Sequence, residues 1–261
     1  MCHPEVPAGQ PMPDVDRSEV SVPLTSGEQL PGLLARPEGG EGPGVLIAND
    51  IFGRTPFYEN LAARLAAAGC VALDVDFFFR LDSVDPGNRE AAFARRAKLD
   101  EQQAVRELNQ ALDWLKQQPS VRGDRLGTIG FCMGGTFVLN LAAERRDLAT
   151  VCFYGFPAGA PQRQQGGPIA PLSQVDQVSG PILGFWGDQD EGVGMDNVAR
   201  YAAALKERKV DFEHVIYPGL GHGFLAASRL DPDNAAYEMA CDAWTRTIAF
   251  YRKHLAVPAV A

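Results

Sequence analysis

The chain has 261 residues, 46% of them hydrophobic and 22% charged, and a formal net charge of −9. That length suits one large α/β domain, which buries roughly three-quarters of its unfolded surface and needs no covalent staple. The basic residues are scattered, as in Arg95-Arg96 and Arg145-Arg146, and no apolar run is long enough for a membrane helix; a clustered nucleic-acid-binding face and a membrane span are both excluded as expectations.

Residues 1–16 are proline-rich and aperiodic, and are expected to form an extended arm ahead of a single domain over 17–261. Met1 to Pro13 lacks the basic-then-apolar order of a signal peptide. Five cysteines, at 2, 70, 132, 152 and 241, show no metal-ligating spacing. Their odd number points to a reducing compartment, so a cytoplasmic protein is expected.

Ser18–Leu24 and Leu30–Arg36 read as a β-hairpin around Thr25-Ser26-Gly27-Glu28. From Val45 the pattern becomes short apolar strands alternating with helical stretches. Val45–Ala48 is a strand, Phe57–Ala68 a helix ended by Gly69, and Val71–Val75 a strand, followed by a loop over 76–88. The spacing predicts one helix over Glu90–Gln118, with Val105, Leu108, Leu112 and Leu115 forming a buried stripe. Leu126–Ile129 is a strand, followed by a helix to about Arg146, then a strand over Thr150–Tyr154. Residues 155–180 carry weak structure signals and read as a long functional or flexible loop. Pro181–Trp186, Asn197–Arg208, Phe212–Tyr217 and Ala235–His254 complete the order as strand, helix, strand and helix. The expected fold class is α/β, a mostly parallel twisted sheet with helices on both faces and an N-terminal antiparallel hairpin.

The central motif is Gly130-Phe131-Cys132-Met133-Gly134, placed between an apolar strand and a helix. This is the setting of the G-x-S-x-G nucleophile elbow of α/β-hydrolases, with sulfur in place of oxygen. A reversal from strand to helix within about one residue strains the nucleophile, and flanking glycines let the turn close. The helix N-terminus favours a thiolate, lowering a thiol pKa that is ordinarily ~8.5. The Met133 N–H is then aimed at a tetrahedral oxyanion.

A nucleophile needs a base, and the base needs an orienting acid. Of four histidines, His3 lies in the arm, His214 in a strand and His254 in the last helical turn; His222 alone occupies a glycine-flanked turn after a late strand. Asp188, Asp190 and Glu191 all follow the Pro181–Trp186 strand. Hydrolases of this fold commonly carry the acid three positions after a glycine, which selects Asp190 and leaves Asp188 to cap the turn. The order Cys132, Asp190, His222 is that of the fold, each member at the carboxyl end of a strand. The second oxyanion donor is expected from Asn49-Asp50-Ile51-Phe52-Gly53, as the Ile51 N–H.

With these residues in place the chain resembles the dienelactone hydrolase family from about residue 18 to 255. The likeness rests on Asp50-Ile51-Phe52-Gly53, Gly130-x-Cys132-x-Gly134-Gly135, Gly187-x-x-Asp190 and Gly221-His222-x-Phe224. The resemblance implies hydrolysis of a carboxylate-bearing enol-lactone through a thioester acyl-enzyme. It implies that Asp50 gates the nucleophile, where the family generally has Glu, one methylene longer. It implies that Arg80, in Asp76-Phe77-Phe78-Phe79-Arg80, holds the substrate carboxylate and that Tyr154 lines the pocket. A second family arginine, a few residues after the histidine, has no counterpart before Arg229.

The expected activity is cleavage of a small ester or lactone by Cys132, His222 and Asp190, with no cofactor or metal. The expected partner is a small-molecule substrate, with no nucleic acid and no membrane, in a monomer or small homo-oligomer. The rivals are a general carboxylesterase or thioesterase, and a non-catalytic ligand-binding member of the fold.

Overall fold

The computed structural model describes residues 12–85, 87–160, 167–225, 235–255 and 257. Most of the arm expected over 1–16 therefore lies outside the described residues, and so does Arg229.

Among the described residues, eight strands form one sheet. In chain order they are β1 (Asp16–Pro23), β2 (Gln29–Arg36), β3 (Gly44–Ala48), β4 (Val71–Val75), β5 (Leu126–Phe131), β6 (Leu148–Phe153), β7 (Ile182–Gly187) and β8 (Phe212–Tyr217), arranged β1-β2-β4-β3-β5-β6-β7-β8. β1 pairs antiparallel with β2, and β2 with β4; every later pairing is parallel. β3 to β7 are buried throughout. That is why they read as continuous apolar runs, the signature of strands covered on both faces.

The helices are α1 (Pro56–Ala67), α2 (Arg89–Arg96), α3 (Glu101–Lys116), α4 (Met133–Glu144), α5 (Met195–Glu207) and α6 (Ala235–Leu255). The register places helices on opposite faces of the sheet. Val45 pairs with Gly127, and both face Tyr251 and Leu255 of α6; Gly44, one residue earlier, faces Leu115 of α3. Side chains alternate along a strand, so α3 and α6 cover opposite sides.

The single helix expected over Glu90–Gln118 is two. The break falls at 97–100, where Asp100 leaves helical backbone and its carboxylate accepts the Gln103 N–H at 2.9 Å. An aspartate offers the chain an N-cap as readily as a helical position, and here the cap prevails. The Val105, Leu108, Leu112 and Leu115 stripe survives intact on α3, each residue buried. The 155–180 segment is partly ordered by a short 3₁₀ helix over Pro171–Gln177. Asn140 of α4 pins it, donating to the Ile169 carbonyl and the Gln174 side chain, both at 2.6 Å.

A row of rings crosses the carboxyl end of the sheet. Phe131, Phe153 and Phe185 are successive register partners on β5, β6 and β7, stacked with centroids 4.9 and 4.7 Å apart. The row gives a rigid floor under the loops that leave these strands, each ring pair adding ~1 kcal/mol beyond its buried area. Among the described residues no helix is long and apolar enough to cross a membrane.

Candidate active site

Chain reversal after β5 forces Cys132 to φ 54° and ψ −115°, a conformation non-glycine residues rarely adopt. Its N–H is held by the Phe153 carbonyl at 3.0 Å, and its carbonyl accepts the Thr136 N–H at 3.1 Å. The turn closes only because its neighbours lack side chains. A Cβ on Gly130 would stand 2.2 Å from the Gly134 carbonyl oxygen, and one on Gly134 would stand 2.1 Å from that of Ala48. Cys132 is 7% exposed and lines a cleft of 310 Å³ at the carboxyl end of the sheet.

His222 and Asp190 reach the same cleft on loops laced together at their bases. The Gln189 N–H donates to the Leu220 carbonyl at 2.9 Å, and Asp188 accepts the Gly219 N–H at 2.7 Å. Asp188 thus fastens the histidine loop, a capping task of the kind expected of it. Asp190 is buried; one of its oxygens accepts the Val193 N–H at 3.1 Å and the other bonds His222 Nδ1 at 2.7 Å. With Nδ1 committed, Nε2 is the ring nitrogen left for Cys132.

Burial disfavours a charged His222 ring, but the Cys132 sulfur and the Asp190 carboxylate outweigh it and push the pKa up to about 10. Tyr154 meets the imidazole edge-on with centroids 5.0 Å apart, and Phe156 lies against it at 5.3 Å. Tyr154 itself has φ 39° and is buried. Its place is against the imidazole; of the two rings packed on His222, Phe156 is the one that lines the cleft.

The turn after β3 approaches Cys132 from the other side. The Gly53 N–H donates to the Asp50 carbonyl at 3.0 Å, and the Phe52 N–H to Asp50 Oδ1 at 2.8 Å. The Asp50 N–H donates to the Tyr58 hydroxyl at 3.0 Å, and Arg95 donates to the Ile51 carbonyl at 3.0 Å. Among the described residues the Ile51 N–H has no protein acceptor. Met133, as the first residue of α4, has no intrahelical acceptor for its own N–H. Ile51 and Cys132 share the cleft lining, and the Met133 N–H directly follows Cys132.

The structure does not bring Arg80 to the cleft. Its guanidinium is bonded to Glu28 at 2.5 and 2.8 Å and to Glu107 at 2.7 and 3.1 Å, and stacks on Phe79. Two carboxylates already satisfy it. Among the described residues, the cleft arginines are Arg89 and Arg96, with Phe93 between them, all on α2. Arg96 is paired with Glu101 at 2.6 Å. Arg89 is exposed, lies 5.3 Å from the Phe93 ring centroid and, among the described residues, is in no ion pair. Positions 89, 93 and 96 are spaced i, i+4, i+7, one helical face, and that spacing was the available signal for them.

Comparison with known proteins places the chain in a family. The profile of the dienelactone hydrolase family matches residues 30–255. A carboxymethylenebutenolidase of Rhodococcus opacus is 32% identical over 98% of both chains. A Bradyrhizobium protein assigned as a 2-oxo-3-(5-oxofuran-2-ylidene)propanoate lactonase is 33% identical over 88% of this chain and 92% of its own. A Klebsiella pneumoniae structure assigned as a dienelactone hydrolase superposes with a TM-score of 0.80 at 28% identity, covering 92% of this chain and all of that one. The chain therefore belongs to the dienelactone hydrolase family, and is a carboxylic ester hydrolase of the α/β-hydrolase fold.

Proposed function

We propose that the chain opens a small lactone or ester bearing an anionic group, by acyl transfer to Cys132 and then to water. The observation that carries this reading is the 2.7 Å bond from Asp190 to His222 Nδ1, which leaves Nε2 for the cysteine at the cleft. Proton sharing between Cys132 and His222 gives a thiolate–imidazolium pair, the reactive form of a cysteine nucleophile.

In acylation the thiolate attacks the carbonyl carbon, and the oxyanion takes the Ile51 and Met133 N–H groups. Collapse breaks the acyl C–O bond, and His222 delivers its proton to the departing oxygen. For a lactone both fragments stay on the enzyme as one thioester. His222, oriented by Asp190, then takes a proton from water; the hydroxide adds to the thioester, and the C–S bond breaks to restore the thiolate. A thiolate expels an enolate or alcohol readily and an amine poorly, which sets esters and lactones apart from peptides as substrates.

Arg89 replaces Arg80 as the residue we assign to the substrate anion, since a guanidinium not already ion-paired suits a carboxylate. The Bradyrhizobium relative is named for a propanoate-bearing lactone, in keeping with an anionic ligand. Gating of the thiol is the role we assign to the Asp50 carboxylate, which also accepts the Phe52 N–H. Tyr154 serves by packing the imidazole. A thiolate nucleophile suits a reducing cytoplasm.

The test is turnover of a panel of lactones and esters, each with and without a carboxylate, by the wild type and Cys132→Ala. The reading expects hydrolysis by the wild type alone, fastest on the anionic lactones. Equal rates with and without the carboxylate would instead favour a broad carboxylesterase, and equal rates for the two proteins would remove Cys132 from the mechanism.

A further inference from the structure

The geometry points to Arg95 as a positioning residue that holds the oxyanion-binding turn over Cys132, an inference resting on the acyl-transfer reading above. The turn 50–53 is shaped by two hydrogen bonds of its own, Gly53 N–H to the Asp50 carbonyl and Phe52 N–H to the Asp50 carboxylate. Those fix its form and not its place. Its placement comes from two side chains, the Tyr58 hydroxyl on the Asp50 N–H and the Arg95 guanidinium on the Ile51 carbonyl, each at 3.0 Å. The residue whose carbonyl Arg95 grips is the one whose N–H faces the oxyanion.

Arg95 is an expensive choice for mere filling. It is 9% exposed, its buried Nε has no hydrogen-bond partner, and its guanidinium carbon sits over the Phe78 ring, 4.0 Å from the centroid. Burying a cation with an orphaned donor costs free energy that an apolar side chain of similar length avoids. Burial lowers its pKa, and the nearby Asp76 and Asp50 charges oppose that, while arginine keeps its proton in either case. What the guanidinium supplies, and a methionine lacks, is a directed donor to one peptide carbonyl.

α2 makes the same choice consequential. Its 89, 93 and 96 face walls the cleft while Arg95, on the adjoining face, reaches the turn. One helix thus sets the distance between the substrate wall and the oxyanion donor.

The test compares Cys132 acylation by a nitrophenyl ester with its alkylation by iodoacetamide, in the wild type, Arg95→Met and Arg95→Lys. Alkylation is a displacement at carbon that develops no oxyanion, so it reads the thiolate alone. Arg95→Met should slow acylation by about 10- to 100-fold, below the ~10²–10³-fold of losing a donor outright. The dissociation constant of the non-covalent ester complex and the alkylation rate should stay within about two- to three-fold, since neither senses the oxyanion. Arg95→Lys, a charged donor, should recover part of the acylation rate, and it carries the comparison if the methionine variant fails to fold. Unchanged acylation in Arg95→Met, or in Arg95→Lys where only that variant folds, would overturn this inference alone. An equal fall in acylation and alkylation would do the same, by tracing the loss to the elbow. A wild type that alkylates but is never acylated would instead overturn the reading beneath it.

Discussion

Asp190 Oδ2 and His222 Nδ1 stand 2.7 Å apart with the carboxylate buried, and this contact fixes which imidazole nitrogen is available to Cys132. Asp190→Asn preserves the shape but turns an acceptor-only group into one that can donate, so the imidazole is held in the wrong tautomer or released. The expected result is a fall in kcat of about 10³–10⁴-fold with KM little changed. Steady-state kinetics on one chromogenic ester checks it.

The raised pKa of His222 has a consequence for stability. Its value is about 10 in the folded chain against 6.5 for an unperturbed imidazole. A pKa raised on folding stabilises the fold fully below 6.5, and that contribution is lost as pH climbs through about 10. Because the imidazolium proton is the one Cys132 gives up, the unfolded chain binds fewer protons only above the ordinary thiol pKa of ~8.5, so urea midpoints should fall in the wild type between about pH 8.5 and about 10. The fall should be shallower in His222→Gln and in Cys132→Ser, which remove the ring and the sulfur that raises its pKa. Parallel slopes in all three would contradict the pairing.

Arg89 and Arg80 should separate cleanly. Arg89→Leu is expected to raise KM for a carboxylate-bearing ester about 10- to 100-fold, the worth of one charge-assisted pair. The neutral methyl-capped analogue should be spared. Arg80→Leu leaves Glu107 buried without its cation. It should lower the melting temperature and leave the KM for both substrates unchanged.

Gly134→Ala is expected to cost more than any side-chain deletion at the site. Its Cβ would stand 2.1 Å from the Ala48 carbonyl oxygen and 2.3 Å from that of Asn49, both backbone atoms that cannot step aside. A loss of about 3 kcal/mol or more, or failure to fold, follows from overpacking of this kind. Gly39→Ala, with open space around it, is the matched control and should be close to neutral. Chemical denaturation of the two variants gives the comparison.

Much of the candidate site's arrangement was legible because it is written into local chain geometry. Gly130, Gly134 and Cys132 mark one strand-to-helix reversal. Asp190 follows the continuous apolar run of β7, and His222 follows β8, the mixed edge strand Phe212–Tyr217, so their convergence at one end of a parallel sheet follows from topology. Arg80 and Arg89 show where such reading stops. Both are arginines in or just beyond the 76–88 loop, and which of them faces the cleft depends on the path of that loop and the direction of α2. Glu28 and Glu107, 52 and 27 residues from Arg80 in sequence, decide its fate. Asp100 illustrates a second limit: inside an amphipathic stretch its capping option looks like any polar helical position. Tyr154 illustrates a third, since an apolar strand end does not say whether its ring faces substrate or imidazole.

Acyl transfer through Cys132 requires a covalent bond to one sulfur. Rapid quenching of the protein with a slowly deacylated ester, followed by proteolysis and peptide mass spectrometry, locates that bond. The expected result is one acyl adduct on the peptide containing Cys132, absent in Cys132→Ala and longer-lived in His222→Gln. Turnover of the ester by the wild type with the adduct on another residue, or undiminished turnover by Cys132→Ala, would contradict it.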